Sequence, residues 1–193
     1  HIRFDVVFIA IHGTPGEDGK LQGYFDMLGI RYTTCNQITA ALTFNKNFCN
    51  RALMSYDVVN IANSVVLYKE IPYSLGIILE KVKLPVFVKP NESGSSLGVS
   101  KVETLEQLVP AIDKAFKEDT QVLIEEYIKG REFSIGIYQN DGELIVLPPT
   151  EVITQNAFFD YEAKYKPGVT EEITPANITP DVLADMQKRV RAI

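Results

Sequence analysis

The stretch LPVFVKPNESGSSLGVSKV, residues 84–102, constrains the fold more than any other. The apolar run Leu84-Pro85-Val86-Phe87-Val88 reads as a short buried strand ending in Lys89-Pro90, and a loop rich in Gly and Ser follows at once. Extended structure resumes over residues 99–102. A cation at a strand end therefore faces a run of backbone N–H donors. Such a run can form a concavity for an anion, and a lysine beside it can neutralise a phosphate. The same composition also suits a surface hairpin turn, since Gly, Ser and Asn dominate turns whatever the function. A Gly-rich loop needs other motifs around it before it means phosphate.

With 193 residues, 46% of them apolar and 23% charged, the chain reads as globular and soluble, with room for one large core or two smaller lobes. No apolar run is long enough to cross a membrane, so no membrane partner is expected. A net charge of −6 argues against a nucleic-acid partner, while leaving room for one local basic pocket. Cys35 and Cys49 lack CxxC spacing and read as buried free thiols in a reducing cytoplasm.

Residues 4–11, FDVVFIAI, are almost continuously apolar and β-branched, as for a parallel strand covered on both faces. HGTPGEDG follows at its C-terminal end, where open α/β sheets place ligands. The spacing from Gly13 to Gly19, with Leu21 in the magnesium-binding position, rules out a Walker A loop. Leu21, Tyr24, Phe25 and Leu28 recur at helical spacing and Gly29 closes that helix. After a short extended piece at residues 30–33, residues 38–53 read as one helix with Lys46 inside it. Residues 58–61 and 64–67 suit connecting strands, and 74–82 a short helix. Thr104 caps a helix running to Phe116. Residues 121–128 form a strand with 132–138 as its hairpin partner, and Asn140-Asp141-Gly142 marks a tight turn. Residues 158–170 read as a loop, and 181–193 as a helix cut off while still helical.

Five features now stand in order: HGTPGEDG after a strand, a lysine in a following helix, FVKPNESGSSLGVSKV, LIEEYIKGREF and FFDYEAKYKPG. Together they closely resemble the D-alanine–D-alanine ligases of the ATP-grasp superfamily, over essentially the whole sequence. The resemblance implies a mixed α/β and α+β fold. A Rossmann-like preATP-grasp lobe (residues 1–60) would precede an ATP-grasp fold whose antiparallel sheets clasp the nucleotide. Its small subdomain with the phosphate loop would span 61–130, and the start of its C-terminal subdomain 131–193. The implied reaction uses ATP to convert one D-alanine to an acyl phosphate. The amine of a second D-alanine then attacks, for peptidoglycan synthesis in the cytoplasm. A homodimer is the expected assembly.

By the same resemblance Lys46, Lys89 and Lys164 hold ATP phosphates, where fixed cations stabilise charge on a transferring phosphoryl group. Gly94, Ser95 and Ser96 match the loop that covers the phosphates, and Ser95 also helps orient the first D-alanine. Glu125, Glu126, Tyr127 and Ile128 match the segment whose backbone reads the adenine edge, and Glu132 the carboxylate on the ribose hydroxyls. His12 and Tyr165 match substrate-side residues, and Tyr165 within YEAKY favours D-alanine over D-lactate. The family's glutamate for the first D-alanine has no counterpart upstream of residue 1. Its tetrahedral-intermediate arginine and its Mg²⁺ ligands have none before residue 193. No metal ligand is therefore assigned, Mg²⁺ being held beyond residue 193, and the chain is expected to be an incomplete piece that is inactive alone. Two other readings share these motifs: a different ATP-grasp carboxylate–amine ligase, and a nucleotide-binding fragment without chemistry.

Overall fold

The computed structural model describes residues 4–154 and 170–193. The chain opens with a small parallel unit: β1 (Val6–Val7), α1 (Lys20–Leu28) and β2 (Arg31–Tyr32), with Val6 opposite Arg31 and Val7 opposite Tyr32. Gly29 ends α1 in the left-handed region at φ 66°, as its place after the last helical turn predicts. The strand is much shorter than the apolar run at residues 4–11. It is also not covered on both faces: Ile9 is buried, whereas Phe4, Val6, Phe8 and Ile11 are exposed. Its only partner among the described residues is a two-residue strand, which brings no second layer. On α1 the expected stripe also stays partly open, with Tyr24 and Leu28 exposed. The buried residue there is Gln22, whose Nε2 donates to Gly16 O at 2.7 Å and Thr34 Oγ1 at 3.0 Å. Cys35 is exposed, contrary to the expectation of a buried thiol, because it lies in the turn after β2; Cys49 is half-buried.

The single helix expected at residues 38–53 is two helices, α2 (Gln37–Phe44) and α3 (Lys46–Tyr56). Asn45 breaks them with ψ 103°, outside the helical range, and its Oδ1 accepts from Phe48 N–H at 2.9 Å as the N-cap of α3. Lys46 is thus the first residue of a helix rather than an interior one.

A four-stranded antiparallel sheet follows, in the order β3 (Ser64–Tyr68), β6 (Gln121–Glu126), β4 (Val86–Pro90), β5 (Ser100–Val102). Residues 58–61 do not join it as a strand. Alternation along the strands splits the sheet into two faces. Val86 and Val88 of β4, Val122 and Ile124 of β6, Val102 of β5 and Leu67 of β3 point to one face, where α4 (Leu75–Lys81) and α5 (Leu105–Ala115) bury them. Each such side chain contributes roughly 1.5–3 kcal/mol. Gln107 secures the start of α5, its Oε1 accepting from Glu103 N–H at 2.8 Å and Thr104 N–H at 3.2 Å. Phe87 and Lys89 of β4 and Glu125 of β6 point to the opposite face.

The remaining strands form a second region. β7 (Glu132–Ser134), β10 (Thr150–Thr154) and β11 (Thr170–Ile173) make an antiparallel sheet in the order β11-β10-β7. β8 (Ile137–Asn140) and β9 (Glu143–Val146) form a hairpin whose turn residues Asp141 and Gly142 take φ 47° and 86°. The expected hairpin between residues 121–128 and 132–138 does not form. Arg131 instead grips Glu151 of β10 with two parallel bonds of 2.6 Å and donates to Asn177 O at 2.8 Å, which turns β7 onto β10. α6 (Pro180–Ala192) is tied on both sides, Arg189 donating to Val58 O at 2.6 Å and Arg191 to Leu144 O at 2.7 Å.

Candidate functional site

The open face of the four-stranded sheet carries the charged residues Lys89, Lys101 and Glu125. In register, Phe87 lies between Glu125 on β6 and Lys101 on β5, and Lys89 lies opposite Leu123. Lys89 and Glu125 are thus diagonal neighbours on one face, within reach of long side chains. They form an ion pair in which the lysine side chain is 21% and the carboxylate 17% exposed. Across the strand end, Lys46 at the start of α3 donates its ammonium protons to Asn91 O at 3.1 Å and Ser93 O at 2.6 Å. Burial, and then the neighbouring Lys89 charge, push the Lys46 pKa down to about 8, against the pull of Asp119, Glu125 and Glu92.

The Gly/Ser loop arches beside these cations. Ser95 and Ser96 adopt φ 51° and 56°, an uncommon conformation for residues with a Cβ, and Gly98 turns at 72°. A Cβ on Gly98 would come within 2.9 Å of both Pro90 Cγ and Glu118 Cγ, so the loop's exit lies flush against the strand end. Lys46, Lys89, Ser93, Gly94, Ser96, Glu125 and Glu132 line a cleft of about 250 Å³. An adjoining hollow of about 520 Å³ shares Phe87 and Glu132 with it and adds Tyr127, Ile128 and Arg131. Tyr127 stands edge-on to Phe87 at 5.7 Å between ring centres, with the Lys101 ammonium 4.6 Å from its ring. Two cations, a donor-rich loop and a carboxylate bordering a flat aromatic hollow can together hold an extended anion with a planar end.

The fold therefore brings together Lys46, Lys89, Gly94, Ser96, Glu125 and Glu132 at the first cleft, and Tyr127 and Ile128 beside it. Ser95 belongs to the same loop but does not line the cleft. Glu126 turns aside, its carboxylate accepting from Asn63 Nδ2 at 2.9 Å and Lys83 N–H at 3.3 Å. His12 is exposed in the loop after β1 and lines neither hollow. Lys164 and Tyr165 lie outside the described residues. Sequence reasoning missed Asn45 and Asn91. Asn45 was signalled by a good capping residue immediately before Lys46, whereas Asn91 looked like one more polar loop residue. Among the described residues no three His, Cys, Asp or Glu side chains converge to hold a metal ion.

This arrangement has close relatives. The family profile described as "D-ala D-ala ligase C-terminus" matches residues 54–193, and the one described as "D-ala D-ala ligase N-terminus" matches residues 1–35. The chain is 46% identical over 191 residues to a D-alanine–D-alanine ligase of Phocaeicola vulgatus, an alignment covering 99% of this chain and 58% of that protein. It is 47% identical over 192 residues to that of Bacteroides fragilis, covering 100% and 59%. Among solved structures it resembles the VanG D-Ala:D-Ser ligase from Enterococcus faecalis, with TM-score 0.87, 33% identity, and coverage of 99% of this chain and 55% of that one. It also resembles D-alanyl-alanine synthetase A from Vibrio cholerae, with TM-score 0.83, 32% identity, and coverage of 97% and 58%. The chain thus spans less than two thirds of the length of these relatives. Its antiparallel sheets are those of an ATP-grasp protein, and the chain belongs to the D-alanine–D-alanine ligase family.

Proposed function

We propose that this chain carries the nucleotide-holding part of an ATP-dependent D-alanine–D-alanine ligase. The observation that carries the reading is the convergence of Lys46, Lys89, the loop at residues 93–98 and Glu132 on one cleft, from four separate elements. Lys46 and Lys89 neutralise the ATP phosphates, the loop covers them with backbone donors, and Glu132 takes the ribose hydroxyls. The segment from Glu125 to Ile128 borders the adenine, with Phe87 and Tyr127 supplying an apolar wall. The γ-phosphoryl passes to the carboxylate of one D-alanine. The amine of a second D-alanine attacks the resulting acyl phosphate, the C–O bond to phosphate breaks, and the dipeptide and inorganic phosphate are released. Ser95, His12 and Tyr165 serve the substrate side, and Lys164 reaches the phosphates. Mg²⁺ supplies further charge neutralisation when bound. The three regions 1–60, 61–130 and 131–193 act as a preATP-grasp lobe, a small ATP-grasp subdomain and the start of the C-terminal subdomain. The enzyme works in the cytoplasm as a homodimer and supplies peptidoglycan synthesis; no helix among the described residues is long and apolar enough to cross a membrane.

Calorimetric titration of the chain with ATP tests the nucleotide half, and the absence of binding sinks it. The chemistry is tested in a chain extended to the length of the relatives. There, D-alanine and not L-alanine should stimulate phosphate release, and D-serine as second substrate tests the specificity.

The Lys46 titration adds a pH signature. ATP affinity is expected to fall as pH rises from 7 to 9, because the ammonium that meets the phosphates loses its proton near pH 8. Stability moves the other way. The folded chain holds this proton less tightly than the unfolded one, so the unfolded state binds more protons between about 8 and 10.5. The contribution of Lys46 to stability therefore rises with pH across that window. Parallel ATP titrations and denaturant melts at pH 7, 8 and 9 check both directions.

A further inference from the structure

Asn91 is completely buried where β4 passes into the Gly/Ser loop, and its polar groups reach two other elements, α3 and β6, at once. Its backbone carbonyl accepts from Lys46 N–H at 3.2 Å, and its Oδ1 accepts from Asn47 N–H at 2.9 Å. Its Nδ2 donates to Gln121 Oε1 at 3.2 Å, and its own N–H donates to Gln121 O at 3.0 Å. The first N–H groups of a helix have no partner within the helix. In α3 the side chain of the local cap Asn45 serves Phe48 and its carbonyl Cys49, while Asn91 serves Lys46 and Asn47 from the end of β4. The Lys46 ammonium closes the circuit by donating to Asn91 O and Ser93 O. The charged groups facing that ammonium are Lys89 of β4, Glu92 of the loop, Asp119 after α5 and Glu125 of β6. Glu92 is itself tied in, accepting from Asn45 Nδ2 at 2.6 Å and donating its N–H to Asp119 Oδ2 at 2.6 Å.

We infer that Asn91 is a positioning residue, which caps α3 from outside the helix and thereby sets the Lys46 ammonium over the phosphate loop. An ordinary buried asparagine satisfies its own polar groups. This one also occupies the two free donors at the residue whose side chain must reach the ligand and at its neighbour. Since a displacement of about 1 Å can cost as much as a hundredfold in a positioned group's effect, the capping of the first turn matters to the cation as well as to the helix. The consequence for ATP rests on the function proposed above; the effect on Lys46 does not.

Asn91→Leu keeps the side-chain volume and removes both side-chain partners. In ¹³C-lysine-labelled chain without nucleotide, Lys46 is expected to titrate well above its value of about 8 in the variant, as the ammonium regains water. A circular-dichroism melt verifies folding. In a double-mutant cycle read by ATP calorimetry, Asn91→Leu and Lys46→Met each lower affinity roughly tenfold, and the double variant is no weaker than Lys46→Met alone. A purely structural Asn91 gives losses that multiply. If the leucine variant does not fold, Gln121→Leu, which removes only the acceptor of Nδ2, carries the same measurements with smaller shifts in the same direction. An unchanged Lys46 titration in a folded variant, or multiplying losses, overturns the inference. Failure of the unsubstituted chain to bind ATP overturns the proposed function instead, and the titration alone then decides the role of Asn91.

Discussion

Lys89→Met is expected to weaken ATP binding by roughly 2–5 kcal/mol, a factor of about thirty to several thousand in Kd, as read by calorimetry. The size follows from where the charge stands. The Lys89 side chain is mostly buried and already paired with Glu125, so most of its desolvation is met when the chain folds rather than when the ligand arrives. A phosphate entering the cleft meets a cation that is preorganised and only partly hydrated, where each charge contact counts for more than in water. Removing the lysine also strips Glu125 of its partner and leaves a carboxylate facing the phosphates. The loss therefore contains both a missing attraction and a new repulsion. Lys89→Met/Glu125→Gln separates them: the second substitution should recover stability and a part of the affinity, but never the whole. An affinity within threefold of the parent in Lys89→Met would remove this lysine from the site.

Features decided by neighbouring residues were readable from the sequence. The strand, loop and strand around Lys89, the helix after Thr104 and the turn at Asp141-Gly142 each follow from a few adjacent side chains, and all three are present. Features decided at a distance were not. Apolar β-branched residues at 4–11 state that a strand is possible, but not how many layers will cover it, and Phe8 and Ile11 stay exposed. The apolar spacing at 38–53 continues across Asn45 and hid the capping signal it carries, and the second half of the cap, Asn91 serving the next helix's N–H groups, arrives from β4. The partner of β7 is chosen by Arg131 and Glu151, twenty residues apart, and no turn signal records that choice. The site follows the same division. Ordered motifs singled out Lys46, Lys89, Glu132 and His12 alike, and only the folded elements show that the first three line one cleft while His12 does not.

Leu108→Ala is expected to cost about 2–5 kcal/mol of stability, and a Tm lowered by roughly 4–20 °C, with little effect on ATP affinity. Leu108 has no exposed surface and lies in the middle of α5, among the residues that cover β4, β5 and β6. Truncating it leaves a cavity in a core whose walls are the strands themselves, and β4 and β6, each hydrogen-bonded to a strand on both sides, cannot collapse inward to fill it. Leu108→Met, which nearly conserves volume, should cost less than about 1.5 kcal/mol. The independence from binding follows from the alternation along β4. Val86 and Val88 rest on the α5 side, whereas Phe87 and Lys89 face the cleft, so the cavity lies across the sheet from the ion pair. The connection that does remain is Lys114 of the same helix, which donates to Val99 O at 2.9 Å and Ser100 Oγ at 3.2 Å at the loop's exit. If α5 holds the loop as well as the core, Leu108→Ala should also raise hydrogen exchange at residues 97–100 below the melting transition. Leu108→Met, with α5 still seated, should leave it unchanged. Equal exchange in the two variants would confine α5 to a packing role and leave the loop's order to Asn91 and Lys46.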